Sequence, residues 1–227
     1  MSKYKEANGY IIHSRDFKNS SLILEFFSQE HGIFHLIAKG AKKNKRLKSQ
    51  LQYFCLLKIQ YFGKSSLKTL TTANIIHNQE LNSLKSKTSG LYLNELLHLS
   101  LNVNEVAKQL FTSYENSLKQ LNNSNVTKIF RNFECLILQQ CGFELDVSNF
   151  NHNDWLCVDE NYGLCLAKTN ANKVIQTHEV EKFLAGQPLD KTSQKKLNRL
   201  MYQLINLCVA HREIHCRKML IELYNNS

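Results

Sequence analysis

Residues 51–76, LQYFCLLKIQYFGKSSLKTLTTANII, decide how the first part of this chain folds. Leu57, Ile59 and Tyr61 alternate with Lys58, Gln60 and Phe62, the period of two that a strand shows when one face is buried and the other wet. Residues 63–66 supply a turn, and residues 67–76 read as the strand that returns. Towards the start of the chain, β-branched and aromatic residues cluster over residues 5–14, 21–28 and 32–38, and polar residues or glycine break the runs. With a fourth strand predicted over residues 51–62, this makes five strands in about 75 residues, joined after the third by a long basic connection. A small Greek-key barrel of the OB type has that pattern, and an SH3-like barrel is its nearest rival.

After residue 81 the period changes to that of helices. Leu93, Leu96, Leu97 and Leu101 fall on one face, followed by Val103, Val106, Leu110, Tyr114, Leu118 and Leu121, an apolar stripe at spacings of three and four. Asn102 with Glu105 has the pattern of a capping box, and Leu101 with Val106 occupies the positions of a hydrophobic staple, so a helix is predicted to start there. A further helix carries Val126, Ile129, Phe130, Phe133, Leu136 and Ile137 and ends at Gly142, because glycine takes the left-handed conformation that closes a helix. Residues 143–170, with Trp155, Tyr162 and Gly163, lose the helical period and predict a small hairpin or irregular insertion. Two last helices are expected over residues 192–210 and 216–224. The fold class is therefore α+β. An N-terminal five-stranded OB-fold β-barrel is expected over residues 1–79, followed by a helical C-terminal domain over residues 80–227 that carries the insertion.

The composition, 227 residues with 43% hydrophobic and 21% charged, excludes a disordered tail and allows a sizeable core. No apolar run approaches the roughly 18 residues of a spanning helix. Residues 1–17 interleave charges with single apolar residues instead of offering a signal-peptide core, so a cytoplasmic, membrane-free protein is expected. Its seven cysteines are odd in number and lack a repeated C-x2-C pair, which suits reduced thiols better than a disulfide framework. Lys and Arg total 29 against 19 Asp and Glu, a net charge of +10, an excess that points to a polyanionic partner. Residues 1–80 hold 13 basic and 5 acidic side chains, so +8 of that excess lies in the barrel half.

The densest part of it is residues 38–48, AKGAKKNKRLK, where Lys39, Lys42, Lys43, Lys45, Arg46 and Lys48 carry six positive charges without an acid among them. Beside a barrel such a loop can line a phosphate-tracking groove, each neutralised phosphate releasing condensed counterions; the plain alternative is a solvated surface loop. Tyr53, Phe54, Tyr61 and Phe62 follow closely, and exposed rings are stacking platforms for unpaired bases, although most of these are expected in the core. No G-x-S-x-G, G-x-x-x-x-G-K, G-x-G-x-x-G or paired-acid motif occurs, so no catalytic residues and no enzymatic activity are expected. Cys208, His211, His215 and Cys216 have spacings that bring zinc to mind, but on a helix Cys216 points about a third of a turn away from the two histidines.

Several strings then resemble one family. Ser20-Ser21-Leu22, Gly32 and residues 36–54 (LIAKGAKKNKRLKSQLQYF) are followed by residues 67–70 (LKTL), 90–97 (GLYLNELL), Leu110-Phe111, 130–134 (FRNFE) and Cys141-Gly142-Phe143. Together they are similar in order and spacing to the DNA repair protein RecO family. The resemblance implies an OB barrel with a helical C-terminal domain. It further implies a non-enzymatic recombination mediator that binds single- and double-stranded DNA, anneals complementary strands, and works with RecR to load RecA onto strands coated by single-strand binding protein. By position, Lys39, Lys42, Lys43, Lys45, Arg46 and Lys48 match the family's DNA-binding segment. Arg131 matches an arginine associated with docking the acidic C-terminal tail of single-strand binding protein; its plain alternative is a surface ion pair with Glu134 or Asp154. No cofactor is implied. Many relatives carry two zinc-binding C-x2-C pairs around the insertion, whereas here residues 148–153 hold no cysteine and Lys168 stands where a partner of Cys165 would be. No structural zinc is therefore expected, with apolar packing around Trp155 in its place. An RNA-binding OB barrel of translation or ribosome assembly is the competing reading, and a metal-dependent nuclease a more distant one.

Overall fold

The computed structural model describes residues 4–122 and 125–225. They form two compact units, one running to Phe133 and resuming at Ile214, the other Glu134–Glu213.

The first unit opens with the strands β1 (Lys5–Phe17), β2 (Ser21–Ser28) and β3 (Gly32–Ala38), a short helix α1 (Lys45–Gln50), and the strands β4 (Cys55–Phe62) and β5 (Leu67–Asn78). They close into a barrel in the order β1-β2-β3-β5-β4, the five-stranded OB arrangement expected from the strand pattern. Closure depends on β1, whose second half pairs with β2 and whose first half pairs with β4, Gly9 being shared by both ladders. A Cβ at Gly9 would lie 2.1 Å from the carbonyl oxygen of Phe27, so a glycine is what allows the strand to serve two neighbours. The barrel interior is filled by Ile11, Leu24, Phe26, Phe34, Leu36, Leu57, Ile59 and Tyr61. The alternation read at residues 57–61 is the alternation of this core.

β2 is buried on both faces. Phe26 points into the barrel, and Phe27 points out, 5.3 Å from Phe111 between ring centres. Phe111 belongs to α3 (Lys108–Gln120), which follows α2 (Leu84–Ser100). Tyr10 on β1 joins the same cluster, 5.1 Å from Tyr114, and donates its hydroxyl proton to Glu115 at 2.9 Å. Tyr114 is fully buried and its hydroxyl donates to Asn94 of α2 at 2.6 Å. Each such side chain contributes about 1.5–3 kcal/mol of burial, so the barrel and these two helices share one core. The last helix, α7 (His215–Asn225), returns to α2, where the Glu95 carboxylate accepts the backbone N–H groups of His215 and Cys216 at 2.9 and 2.8 Å.

The second helix does not begin at Asn102. Half of the capping box forms, with Glu105 accepting from the Asn102 backbone and side-chain amides at 3.3 and 3.0 Å, while the Glu105 N–H donates to the Asn102 backbone carbonyl instead of its side chain. Yet Val103 bridges to Ile33 and Asn104, at φ 64°, donates to the Ile33 carbonyl at 2.7 Å. The segment is thus held on the edge of β3, and α3 starts at Lys108 with no side-chain cap. Two short helices were not legible either: α1, after which the fourth strand starts at Cys55 instead of Leu51, and one over Thr177–Leu184 in the second unit.

That unit contains the end of α4 (Val126–Gln140), closed by Gly142 at φ 80° as predicted. The insertion is a three-stranded sheet ordered β7-β6-β8, from β6 (Trp155–Asp159), β7 (Gly163–Leu166) and β8 (Ile175–Gln176). It is followed by α5 (Thr177–Leu184) and α6 (Lys191–Cys208). Leu156, Cys157, Val174 and Ile175 are among its buried residues, while Trp155 is only half-buried beneath Lys173 and Lys196. Packing around Trp155 is therefore the lesser part of what holds the insertion.

On the outer face of the barrel, His13, Glu25 and His35 line up across β1, β2 and β3. His98 of α2 stacks on His13 at 4.3 Å between ring centres and shares a 2.7 Å hydrogen bond with Glu25. Burial lowers the pKa of His13, reinforced by the charge of His98. Burial pushes Glu25 up, but its bond to His98 and the surrounding imidazoles outweigh this and hold it below the ordinary value. Below about pH 6.5 the unfolded chain binds a proton at His13 that the folded chain resists. Stability is therefore expected to fall as pH drops from that value towards the lowered folded one. Urea unfolding between pH 5 and 8 measures this, and the His13→Asn protein should show the shallower dependence; equal slopes would dismiss the cluster as its source.

Candidate nucleic-acid interface

The basic segment begins where β3 ends. Ala38 and Ala41 are both fully buried, so the chain leaves the barrel at Lys39, turns at Gly40 (φ 69°) and touches the core again before the other five cations. The backbone N–H of Lys42 donates to the Ser20 carbonyl at 2.9 Å, tying the segment to the β1–β2 turn. Asn44 then caps α1, its side-chain oxygen accepting from Leu47 N–H at 3.0 Å. Leu47 and Leu51 pack on the barrel core, and the Gln50 side chain accepts the Ile75 N–H of β5 at 3.0 Å. Residues 39–44 are therefore a tight turn, and residues 45–50 a helix where a loop was expected.

This anchoring directs the charges outward. Lys39, Lys43, Lys45, Arg46 and Lys48 are exposed. Lys42 differs from them, since its ammonium lies 2.5 Å from an Asp16 carboxylate oxygen and its side chain is only 31% exposed. Lys45 and Arg46 stand in the first turn of α1, which contains no acid. A cation at that end opposes the helix dipole, at a cost of about 0.3–1 kcal/mol, so local helix energetics do not account for their presence. The strand pairing also brings Lys18 to the same edge, its ammonium 5.4 Å from the centre of the Phe17 ring. Lys18 was missed in the sequence because the turn it occupies lies more than 20 positions before the basic run; the contacts of Lys42 with Ser20 and Asp16 join them.

The aromatic residues near the run divide. Tyr61 lies in the barrel core, and Phe54 packs against Gly90 of α2, where a Cβ would stand 2.7 Å from its ring. Tyr53 is half-buried, its hydroxyl hydrogen-bonded with Ser14 at 3.1 Å. Phe62 meets the exposed Tyr4 edge-on at 5.8 Å.

Arg131 belongs to a different element. It is half-buried on α4, next to Phe130, whose ring lies 4.8 Å from Tyr92. Its neighbour Asn132 lines a cleft of about 490 Å³ between α3 and α4, together with Lys108, Thr112, Asn116, Gln120 and Ile129. Among the described residues no group of three or more His, Cys, Asp or Glu is arranged to hold a metal ion, and no helix is long and apolar enough to cross a membrane. Cys208 ends α6, whereas His215 and Cys216 begin α7, so the four residues with zinc-like spacing do not share a helix.

Two family models match the chain, "Recombination protein O N terminal" over residues 1–79 and "Recombination protein O C terminal" over residues 81–209. Among curated proteins, the DNA repair protein RecO of Idiomarina loihiensis is 27% identical over 92% of this chain and 94% of its own length. That of Marinobacter nauticus is 26% identical over 92% of this chain and 91% of its own length. The RecO protein of Cupriavidus metallidurans is 32% identical over 60% of this chain, a match spanning 46% of that relative's length.

Proposed function

Because this chain belongs to the recombination protein O family of DNA repair proteins, we propose that it acts as a mediator that grips DNA electrostatically rather than by catalysis. Its ligand is DNA, single- or double-stranded, with Lys39, Lys42, Lys43, Lys45, Arg46 and Lys48 contacting phosphates. Screening phosphate repulsion lets two complementary strands approach, so the protein anneals them. With RecR it promotes RecA loading on strands coated by single-strand binding protein, and Arg131 receives the acidic tail of that coating protein, whose carboxylates suit a guanidinium. These partners would be met in the bacterial cytoplasm, at the nucleoid during repair.

The observation that carries this reading is a run of exposed cations on a segment anchored to the barrel at Ala41, Leu47 and Leu51. A solvated loop needs no such anchoring, whereas a rigid array of charges loses less entropy when it meets a polyanion. Annealing of two complementary labelled oligonucleotides, bare and coated with single-strand binding protein, tests it. Wild type should anneal both. Binding without annealing of coated strands, or preference for structured RNA, would replace the mediator with an RNA-binding barrel.

The pair between Lys42 and Asp16 makes a narrower prediction. Asp16→Asn removes the carboxylate that pairs with Lys42 and should strengthen single-strand binding about two- to fivefold at low salt, the worth of roughly one added phosphate contact. Fluorescence anisotropy at 50 and 200 mM salt would detect it, and unchanged affinity would mean that DNA does not reach Lys42.

A further inference from the structure

The second unit contains two thiols that the DNA-binding role does not use. Cys157 on β6 and Cys165 on β7 are direct register partners across the antiparallel hairpin, and their sulfur atoms stand 2.9 Å apart. The backbone holds them there. At the tip of the hairpin the Asp159 carboxylate accepts the N–H groups of Asn161 and Tyr162 at 2.8 and 3.1 Å. Gly163 follows at φ 69° against the Phe143 ring, where a Cβ would approach to 2.9 Å, and β8 pairs with the other edge of β6. Register, turn and both flanks therefore hold the two cysteines opposite one another, with their sulfur atoms already in contact. Cys157 is buried and Cys165 half-exposed, so one thiol meets a small solute and the other waits behind it.

We infer that Cys157 and Cys165 form a reversible disulfide when the protein meets hydrogen peroxide, making this hairpin a thiol–disulfide switch. The Cys165 thiolate attacks a peroxide oxygen; the O–O bond breaks and the departing hydroxide leaves as water, with Cys165 as the sulfenic acid. The Cys157 sulfur then attacks the sulfenic sulfur. An S–S bond forms, the S–O bond breaks, and the leaving hydroxide takes the Cys157 proton as a second water. Two thiols have lost two electrons and two protons, and one peroxide has become two waters. A small thiol reverses the change by exchange through a mixed disulfide. The order of roles follows from the surroundings, since burial, then the contact with Cys165, push the Cys157 thiol up to about 12. A thiol so rarely ionised at neutral pH is a poor first attacker. Cys141 and Cys208 of the same unit also share a thiol contact, so they are the competing pair that a test must distinguish.

The sequence itself separates the candidates. Cleavage after Glu134, Glu144 and Glu160 and after Lys168 leaves Cys157 in residues 145–160, Cys165 in residues 161–168, and Cys135 with Cys141 in residues 135–144. The full chain, treated with equimolar peroxide, alkylated and digested in this way, should yield fragment 145–160 joined to fragment 161–168. Thiol titration should show two fewer than the seven thiols of the untreated chain, restored by dithiothreitol. In the Cys157→Ser protein the oxidation should stop at a dimedone-reactive sulfenic acid on Cys165. Links made only to Cys141 or Cys208, or both fragments fully alkylated, would overturn the inference. The linked-fragment readout uses wild type, so it stands whether or not the variant folds, and it is independent of DNA binding.

Discussion

A protein with alanine at Lys42, Lys43, Lys45 and Arg46 is expected to bind single-stranded DNA on the order of a hundredfold more weakly at low salt, with its fold unchanged. On a single strand each neutralised phosphate contributes about 0.7 to the slope of log affinity against log salt, so the six cations of residues 39–48 predict a slope of roughly 4. The two that remain, Lys39 and Lys48, predict about 1.4. The contribution of Lys42 is the smallest of the six, because Asp16 already neutralises it. Stability should survive for a structural reason. α1 is held by Leu47 and Leu51 against the core and by the Asn44 cap, none of which changes, and alanine is the better helix former at the exposed positions. A salt titration by anisotropy, with thermal unfolding of both proteins alongside, measures both statements. A variant that keeps the wild-type slope would move the DNA contact elsewhere on the barrel, and one that loses its unfolding transition would show that these cations are structural.

The second large effect is on stability. Gly32→Ala should destabilise the first unit by about 3 kcal/mol or more, while Gly40→Ala should cost only about 1–2 kcal/mol, the ordinary penalty of a side chain in the left-handed region. The backbones are alike, at φ 63° and 69°. Their surroundings are not, because a Cβ at Gly32 would lie 1.9 Å from the carbonyl oxygen of Glu105, whereas nothing lies within 4 Å of one at Gly40. The atom in the way at Gly32 is backbone and cannot rotate aside, so the segment carrying Val103 and Asn104 must lift from β3 and release its 2.7 Å hydrogen bond. Urea unfolding of the two variants decides the matter. Equal losses would mean that the segment moves away at no cost and does not brace the barrel.

The strands of the barrel were legible because their signal is local. Residues 21–28 and 32–38 coincide with β2 and β3, and the alternation of Leu57, Ile59 and Tyr61 is the inward face of β4. The candidate site was legible as a cluster of charge, since cations adjacent in sequence stay adjacent in space. Its finer structure was not. The pattern at Asn102 and Glu105 is that of a capping box, but such a box contributes only about 0.5–2 kcal/mol, and a β3 edge reached through Gly32 outweighs it. The pairing of Cys157 with Cys165 was equally hidden, because two cysteines eight positions apart say nothing until a hairpin register sets them opposite one another.

From sequence alone came the class of fold, the family, the place of the basic run and the glycine that closes α4, all set by periodicity, composition and short-range backbone preference. Tertiary structure decided which of the six cations is tied to Asp16, that α1 presents the rest, that α2 and α3 share a core with the barrel, and that the last helix returns to Glu95. The physical reason is the range of the interactions. A period or a turn is specified by neighbours along the chain, whereas an ion pair, a shared core or a capped terminus depends on residues that meet only after the barrel has closed.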